Sequence, residues 1–292
     1  MKPGRTLLLS ILALAMGATS TSLAAHVATP IVIGESHRIE SRAMGDERAI
    51  NVYLPEGYAD AAKRFPVLYL IDGGLEQDFL HIAGTSQLGS IWARSQAVIV
   101  VGIETKDRRR ELIGPTQDVK LLADYPTAGF SAGFRNYIRD EVKPLIERTY
   151  RTSGDDAVIG ESLAGLFIVE TFLREPTLFD GYAAISPSLW WDQQRLSREA
   201  EVALAHRRVA DTRLYLTLGN EGAEMQSAAD RLATALAAHP GNAGQWCYVP
   251  RPQSTHATIY HDVSPTALQY LFPTPVDQDP ESGFVIACSK KS

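Results

Sequence analysis

Ser162 stands in Gly160-Glu161-Ser162-Leu163-Ala164-Gly165, between the apolar run Ala157-Val158-Ile159 and an apolar segment of helical spacing, Leu163 to Leu173. A serine hydroxyl attacks well only when it is held clear of its own backbone, and a sharp strand-to-helix turn does this if the flanking residues are small. Gly160 and Ala164 are small. A helix that starts at the serine also aims unpaired N–H groups and the positive end of its dipole at any oxyanion formed there. The segment reads as a nucleophile turn, with an ordinary N-cap serine as the plain alternative.

A serine hydroxyl does not ionise unaided near neutral pH, so it needs a base within hydrogen-bond reach and a carboxylate to orient that base. Where such a turn belongs to a mostly parallel α/β sheet, the acid follows a strand of the C-terminal half and the histidine follows the last strand. Leu214 to Leu218 runs into Gly219-Asn220-Glu221-Gly222-Ala223-Glu224, and a helix pattern begins at Met225. Glu221, in the turn, is the predicted acid. Glu224 is the alternative, although its position also suits an anion at a helix N-terminus. Of the seven histidines, only His256 and His261 lie between the last strand-like run and the final helix. His256, among small neighbours in Ser254-Thr255-His256-Ala257-Thr258, is the predicted base. Oxyanion stabilisation takes two backbone donors. The predicted pair is Leu163 and, from the loop Ile71-Asp72-Gly73-Gly74, the N–H of Gly74.

Strand-like runs cover Arg38 to Met44, Ala49 to Leu54, Val67 to Ile71, Ala97 to Ile103, Ala157 to Ile159, Tyr182 to Ile185, Leu214 to Leu218 and Gln245 to Val249. Helical spacing joins Phe134, Tyr137, Ile138, Val142, Leu145 and Ile146, with Pro144 expected to kink or split that element. Further helices are predicted over Leu163 to Leu173, Met225 to Ala238 and Pro265 to Leu271. Two strands followed by alternating strands and helices predict an α/β fold: a mostly parallel central sheet with helices on both faces and an antiparallel beginning.

At these residues the chain resembles the "Putative esterase" branch of the α/β-hydrolase superfamily, the siderophore-esterase and esterase D-like group. The stretches that carry the likeness are Val67 to Gly73, Arg108-Arg109-Arg110-Glu111-Leu112, Ile159 to Phe167, and Ser186-Pro187-Ser188-Leu189-Trp190-Trp191. With the His256 region they span most of the chain after its first residues. The chain departs from the pattern in having Glu161 where histidine is common and Ala164 where glycine is common. The resemblance implies an α/β-hydrolase fold and hydrolysis of carboxylic esters by a serine and a histidine. It is nearest to the siderophore esterases, some of which manage with little help from an acid, and so points to a ferric trilactone siderophore as one candidate substrate.

Substrate contacts are sought at Arg108 and Arg110, with Arg109 between them, because guanidinium groups bind oxyanions in fork geometry. The alternative is a solvated charge run. Trp191, with Trp190, is expected either to stack on an aromatic acyl group or to pack in the core. No histidine or cysteine cluster has metal-ligand spacing, and neither a metal nor a cofactor is expected.

The N-terminus reads as an export signal over residues 1–25. Lys2 and Arg5 precede the short apolar stretch Leu7 to Met16, and small residues follow through Ala25. Such a stretch is too short to span a bilayer, and no cysteine stands there to carry a lipid, so no membrane anchor is expected. Residues 26–275 are then the hydrolase domain and 276–292 a C-terminal tail, with a periplasmic or secreted location. Loss of Lys2 and Arg5 makes the formal charge of -6 still more negative, which disfavours nucleic acid as a partner. Cys247 and Cys288 would enter an oxidising compartment, where they either pair or stay free. The expected partner is a small-molecule ester; the sequence leaves the oligomeric state open. Acyl transfer to another hydroxyl uses the same residues, and a binding protein on a hydrolase scaffold is the non-enzymatic alternative.

Overall fold

A computed structural model of the chain describes residues 28–206, 211–274 and 286–291. The expected export signal and most of the expected tail lie outside these. The chain divides into an N-terminal unit, Met1–Val32, whose residues 28–32 are exposed and irregular, and a second unit, Ile33–Ser292, which carries the sheet.

Among the described residues the strands are β1 (Glu35–Ser41), β2 (Asp46–Tyr53), β3 (Phe65–Ile71), β4 (Ile99–Ile103), β5 (Thr152–Glu161), β6 (Gly181–Ile185), β7 (Arg213–Gly219), β8 (Gln245–Arg251) and β9 (Lys290–Lys291). They form one sheet in the order β1-β2-β4-β3-β5-β6-β7-β8-β9. The pairs β1–β2, β2–β4 and β8–β9 are antiparallel, and the pairs between β4 and β8 are parallel. β3, β4 and β6 are buried along their whole length, as strands covered on both faces must be.

The period of two along β3 assigns its residues to two cores. Val67, Tyr69 and Ile71 enter one, Leu68 and Leu70 the other. Helices α1 (Phe79–Ile91) and α9 (Ile259–Leu271) cover the smaller core. The larger one is covered by α4 (Ser131–Tyr137), a π-helical turn at Ile138–Val142, α5 (Lys143–Thr149), α6 (Leu163–Arg174), α7 (Trp191–Ala205) and α8 (Ala223–Ala238). Two short helices, α2 (Arg108–Glu111) and α3 (Val119–Asp124), lie between β4 and α4.

The interruption expected at Pro144 takes the form of the π-helical turn, which ends just before that proline in the first turn of α5. The final helix starts earlier than predicted: Pro265 lies inside it, and burial of Ile259, Tyr260 and Val263 on the smaller core holds the preceding turns helical. Sequence reasoning missed α1 and α7. Their core faces include small or polar residues, Ala83 and Ser86 in α1, Ser197 and Ala200 in α7, which blur the apolar period. Cys247 in β8 and Cys288 form a disulfide across 41 positions, tying the tail to the sheet edge.

One feature of the topology locates the site. From β3 the chain moves to β4 on one side, while β5 lies on the other side of β3. The crevice beyond the carboxyl ends of β3 and β5 is therefore the point where strand order reverses, the usual place for a ligand in an open α/β sheet.

Candidate active site

Ser162 occupies the one-residue turn between β5 and α6, with φ 61° and ψ -117°. This backbone region is open to glycine and costs a residue with a Cβ about 1–3 kcal/mol. The surroundings impose it. The Ser162 N–H donates to Ile185 O at 3.0 Å, and its carbonyl accepts from Leu166 N at 2.9 Å and Ser188 N at 3.0 Å. Helix and sheet approach too closely for side chains at two positions. A Cβ on Gly160 would stand 2.6 Å from Cβ of Ala164, and one on Gly165 would stand 2.9 Å from Ile185 O. Asp72 after β3 and Ser186 after β6 also have positive φ, so backbone strain gathers at this end of the sheet.

Glu221 lies in the turn after β7, and His256 in the loop between β8 and α9. The Asn220 N–H donates to Ser254 O at 2.8 Å and ties the two loops together, and Ser254 Oγ donates to Asp262 Oδ2 of α9 at 2.7 Å. With its proton on Nδ1, His256 donates to Glu221 Oε2 at 2.7 Å and accepts at Nε2 from Ser162 Oγ at 3.1 Å. The hydrogen bond to Glu221 raises the His256 pKa above its ordinary 6.5, against the opposing effect of burial. The second oxygen of Glu221 accepts from the buried Ser186 hydroxyl. Ser188 Oγ lies 3.4 Å from Ser162 Oγ. Glu224 is exposed in the first turn of α8, and His261 pairs with His81 at 3.3 Å on α9 and α1.

Leu163 is the first residue of α6, so its N–H has no acceptor within the helix. The N–H of Gly74 is engaged: it donates at 2.9 Å to Gln77 Oε1, and the Gln77 amide is in turn held by Thr105.

A cavity of about 880 Å³ opens at Ser162, Leu163, Glu221 and His256. Its other walls include Arg108, Arg109, Tyr125 and Trp190. Buried Asp72 anchors Arg108, accepting from Nε at 2.9 Å, and accepts from the Thr105 hydroxyl as well. The Arg109 guanidinium lies 4.8 Å from the Tyr125 ring centroid, and Tyr125 packs against Trp190 at 5.9 Å. Two of the sought substrate contacts lie elsewhere. Arg110 stacks over Phe130 at 3.9 Å and Trp191 is buried, so neither lines the cavity. Neighbouring residues at a helix start point in different directions, so three consecutive arginines or two tryptophans cannot all face one pocket.

The loop that carries the arginines is pinned from beneath. Glu111 accepts from Arg48 of β2 at 2.9 and 2.8 Å, and from the backbone N–H of Lys106 at 3.1 Å and Asp107 at 3.4 Å. Sequence reasoning assigned no role to Arg48, Asp72, Tyr125 or Ser186. Asp72, Ser186 and Glu111 do stand in the stretches that carry the family likeness. Among the described residues, no group of three or more His, Cys, Asp or Glu is arranged to hold a metal ion, and no helix is long and apolar enough to cross a membrane.

The mixed sheet, its two helical layers and a strained turn where strand order reverses define an α/β-hydrolase-type fold. The profile of the family described as "Putative esterase" matches residues 41–246, and the chain belongs to that family, on the branch that holds the siderophore esterases. The match includes Ser162 and Glu221 and ends before His256. Ferri-bacillibactin esterase BesA of Bacillus subtilis is 29% identical over 174 residues, which are 53% of this chain and 59% of that protein. The siderophore triacetylfusarinine C esterase of Aspergillus fumigatus is 23% identical over 150 residues, 50% of this chain and 51% of that one. The chain thus spans between about half and three-fifths of the length of these two relatives. An IroE-like serine hydrolase from Shewanella oneidensis has a similar structure, with a TM-score of 0.75 and 26% identity over 82% of this chain and 80% of that one.

Proposed function

We propose that this protein is a serine hydrolase of carboxylic esters, with Ser162 as nucleophile, His256 as base and Glu221 as the acid that orients it. The observation that carries the reading is the unbroken hydrogen-bonded line from Glu221 through His256 to Ser162 at the mouth of the cavity. His256 Nε2 takes the hydroxyl proton as Ser162 Oγ bonds to the ester carbonyl carbon, and the carbonyl oxygen takes up the negative charge. The Leu163 N–H meets that charge. Gly74 joins it once its N–H leaves Gln77. His256 then passes its proton to the departing alcohol, leaving an acyl group on Ser162. A water molecule, deprotonated by His256, releases the acid. Glu221 keeps the imidazole in the tautomer this sequence needs and steadies the imidazolium between steps.

The substrate class we propose is an ester of an aromatic, anionic acid, with a ferric trilactone siderophore as the leading case. Arg108 and Arg109 supply charge for oxyanions, and Tyr125 and Trp190 supply ring faces beside them. The esterases named among the relatives support this class. We further propose export to the periplasm or beyond, supported by the signal-like residues 1–25 and by the disulfide at Cys247–Cys288.

The test compares wild type and Ser162→Ala on a simple aryl ester and on ferric triscatecholate trilactones. Loss of all turnover in the folded variant is expected; retained turnover overturns the reading. Cleavage of short aliphatic esters with no activity on the trilactones overturns the substrate class alone.

A further inference from the structure

Glu161 is the last residue of β5 and the direct neighbour of Ser162, yet the chemistry above gives it no task. Its Oε1 is buried and has no hydrogen-bond partner among the described residues. Leaving such a group unpaired is costly, and a residue of this kind beside a nucleophile calls for an explanation. The charged and titratable groups that act on it come from several elements. His256 projects from the loop before α9 and Glu221 from the turn after β7. Asp78 stands at the start of α1, and Arg108 is in α2. Tyr260 of α9 feels Glu161 together with Asp78 and Asp72, and its hydroxyl is buried without a partner too. Arg108 is committed to Asp72 at 2.9 Å, so it is a shared counter-charge and not a dedicated one.

These groups divide by sign. Burial pushes Glu161 up to about 7, Asp78 and Glu221 push the same way, and His256 and Arg108 pull it down. Burial, with Asp72, also lifts Asp78 to about 6. Reciprocally, Glu161 acts on His256 in the direction that favours its protonated form.

We propose that Glu161 is a positioning residue for the reaction, a second carboxylate whose negative charge steadies His256 while that ring carries the serine proton. The inference rests on His256 acting as the base. It adds a charge that is present only above about neutral pH, because protonation of Glu161 withdraws the support. The two groups titrate as a coupled pair: a proton on either one makes the other give up its proton more readily, and the observed midpoints belong to both.

The test follows the His256 ring by NMR across pH in wild type, Glu161→Gln and Glu161→Asp, beside kcat/KM for an aryl ester. Glu161→Gln should lower the His256 midpoint by about one pH unit and kcat/KM at alkaline pH about tenfold, the factor that one unit of interaction represents. Glu161→Asp, which keeps the charge, should restore most of both. Asp78→Asn offers a second route, since α1 draws no side-chain cap bond from Asp78. Removing that like charge should let Glu161 ionise at lower pH and widen the active range on the acid side. An unchanged His256 midpoint in folded Glu161→Gln, or an acid limb unmoved by Asp78→Asn, overturns the proposal. The ring titration needs no turnover, so it stands apart from any failure of Ser162 as nucleophile.

Discussion

Glu111→Gln tests how the arginine-bearing loop is held. Arg48 and Glu111 side chains are 1% and 2% exposed and meet in a two-pronged pair at 2.9 and 2.8 Å. Neutralising Glu111 leaves the Arg48 charge buried, and removing one partner of such a pair costs about 3–5 kcal/mol. Two groups soften the loss here: Asp46 lies 3.6 Å from Arg48 Nη1, and Glu104 O accepts from Nη2 at 3.0 Å. The lower end, about 3 kcal/mol, is therefore expected, and lowers Tm by roughly 6–12 °C for a domain of this size. Urea unfolding gives the free energy. Because Glu111 also accepts from Lys106 N and Asp107 N, the loop bearing Arg108 and Arg109 should loosen, raising KM for an anionic aromatic ester while kcat changes little. The double change Arg48→Met with Glu111→Leu removes both charges and should recover most of the stability. A loss under about 1 kcal/mol in Glu111→Gln, the worth of an exposed pair, would refute the reasoning.

Four further outcomes are expected. Glu221→Gln should cut kcat by about 10²- to 10⁴-fold. In the wild type, kcat/KM should fall on the acid side with a midpoint above 6.5, because the bond to Glu221 holds the His256 proton more firmly, and in Glu221→Gln that midpoint should drop. A pH–rate series on an aryl ester reads both. Gly160→Ala puts a Cβ 2.6 Å from Cβ of Ala164, so it should cost about 1–3 kcal/mol and displace the turn enough to lower turnover about a hundredfold, measured by unfolding and by initial rates. Cys288→Ser opens a cross-link that closes 41 positions and should cost about 4 kcal/mol, read by urea unfolding with and without reductant.

The sequence disclosed the parts of this fold that depend on short-range pattern. Continuous apolar runs mark the buried parallel strands, because both faces of β3, β4 and β6 are covered. The nucleophile turn is legible because its close contacts demand small residues at Gly160 and Gly165, leaving a local mark. Other features depend on long-range contacts and left weaker marks. Within its first turn α7 has Asp192, Gln193 and Gln194 at positive φ, and it buries Ser197 and Ala200, so neither its start nor its face follows helical rules. The direction of Arg110 toward Phe130, and of Trp191 into the core, is decided by α4 and by packing between layers. The same holds for Gly74, whose N–H is claimed by a side chain three residues on.

The most direct measurement of the central claim is covalent labelling of the folded protein with a fluorophosphonate, followed by mass spectrometry of the modified peptide. The account predicts a single adduct on Ser162, formed in step with loss of ester turnover and abolished in His256→Ala. Full inactivation with the adduct on another residue, or turnover that persists with Ser162 fully modified, would contradict it.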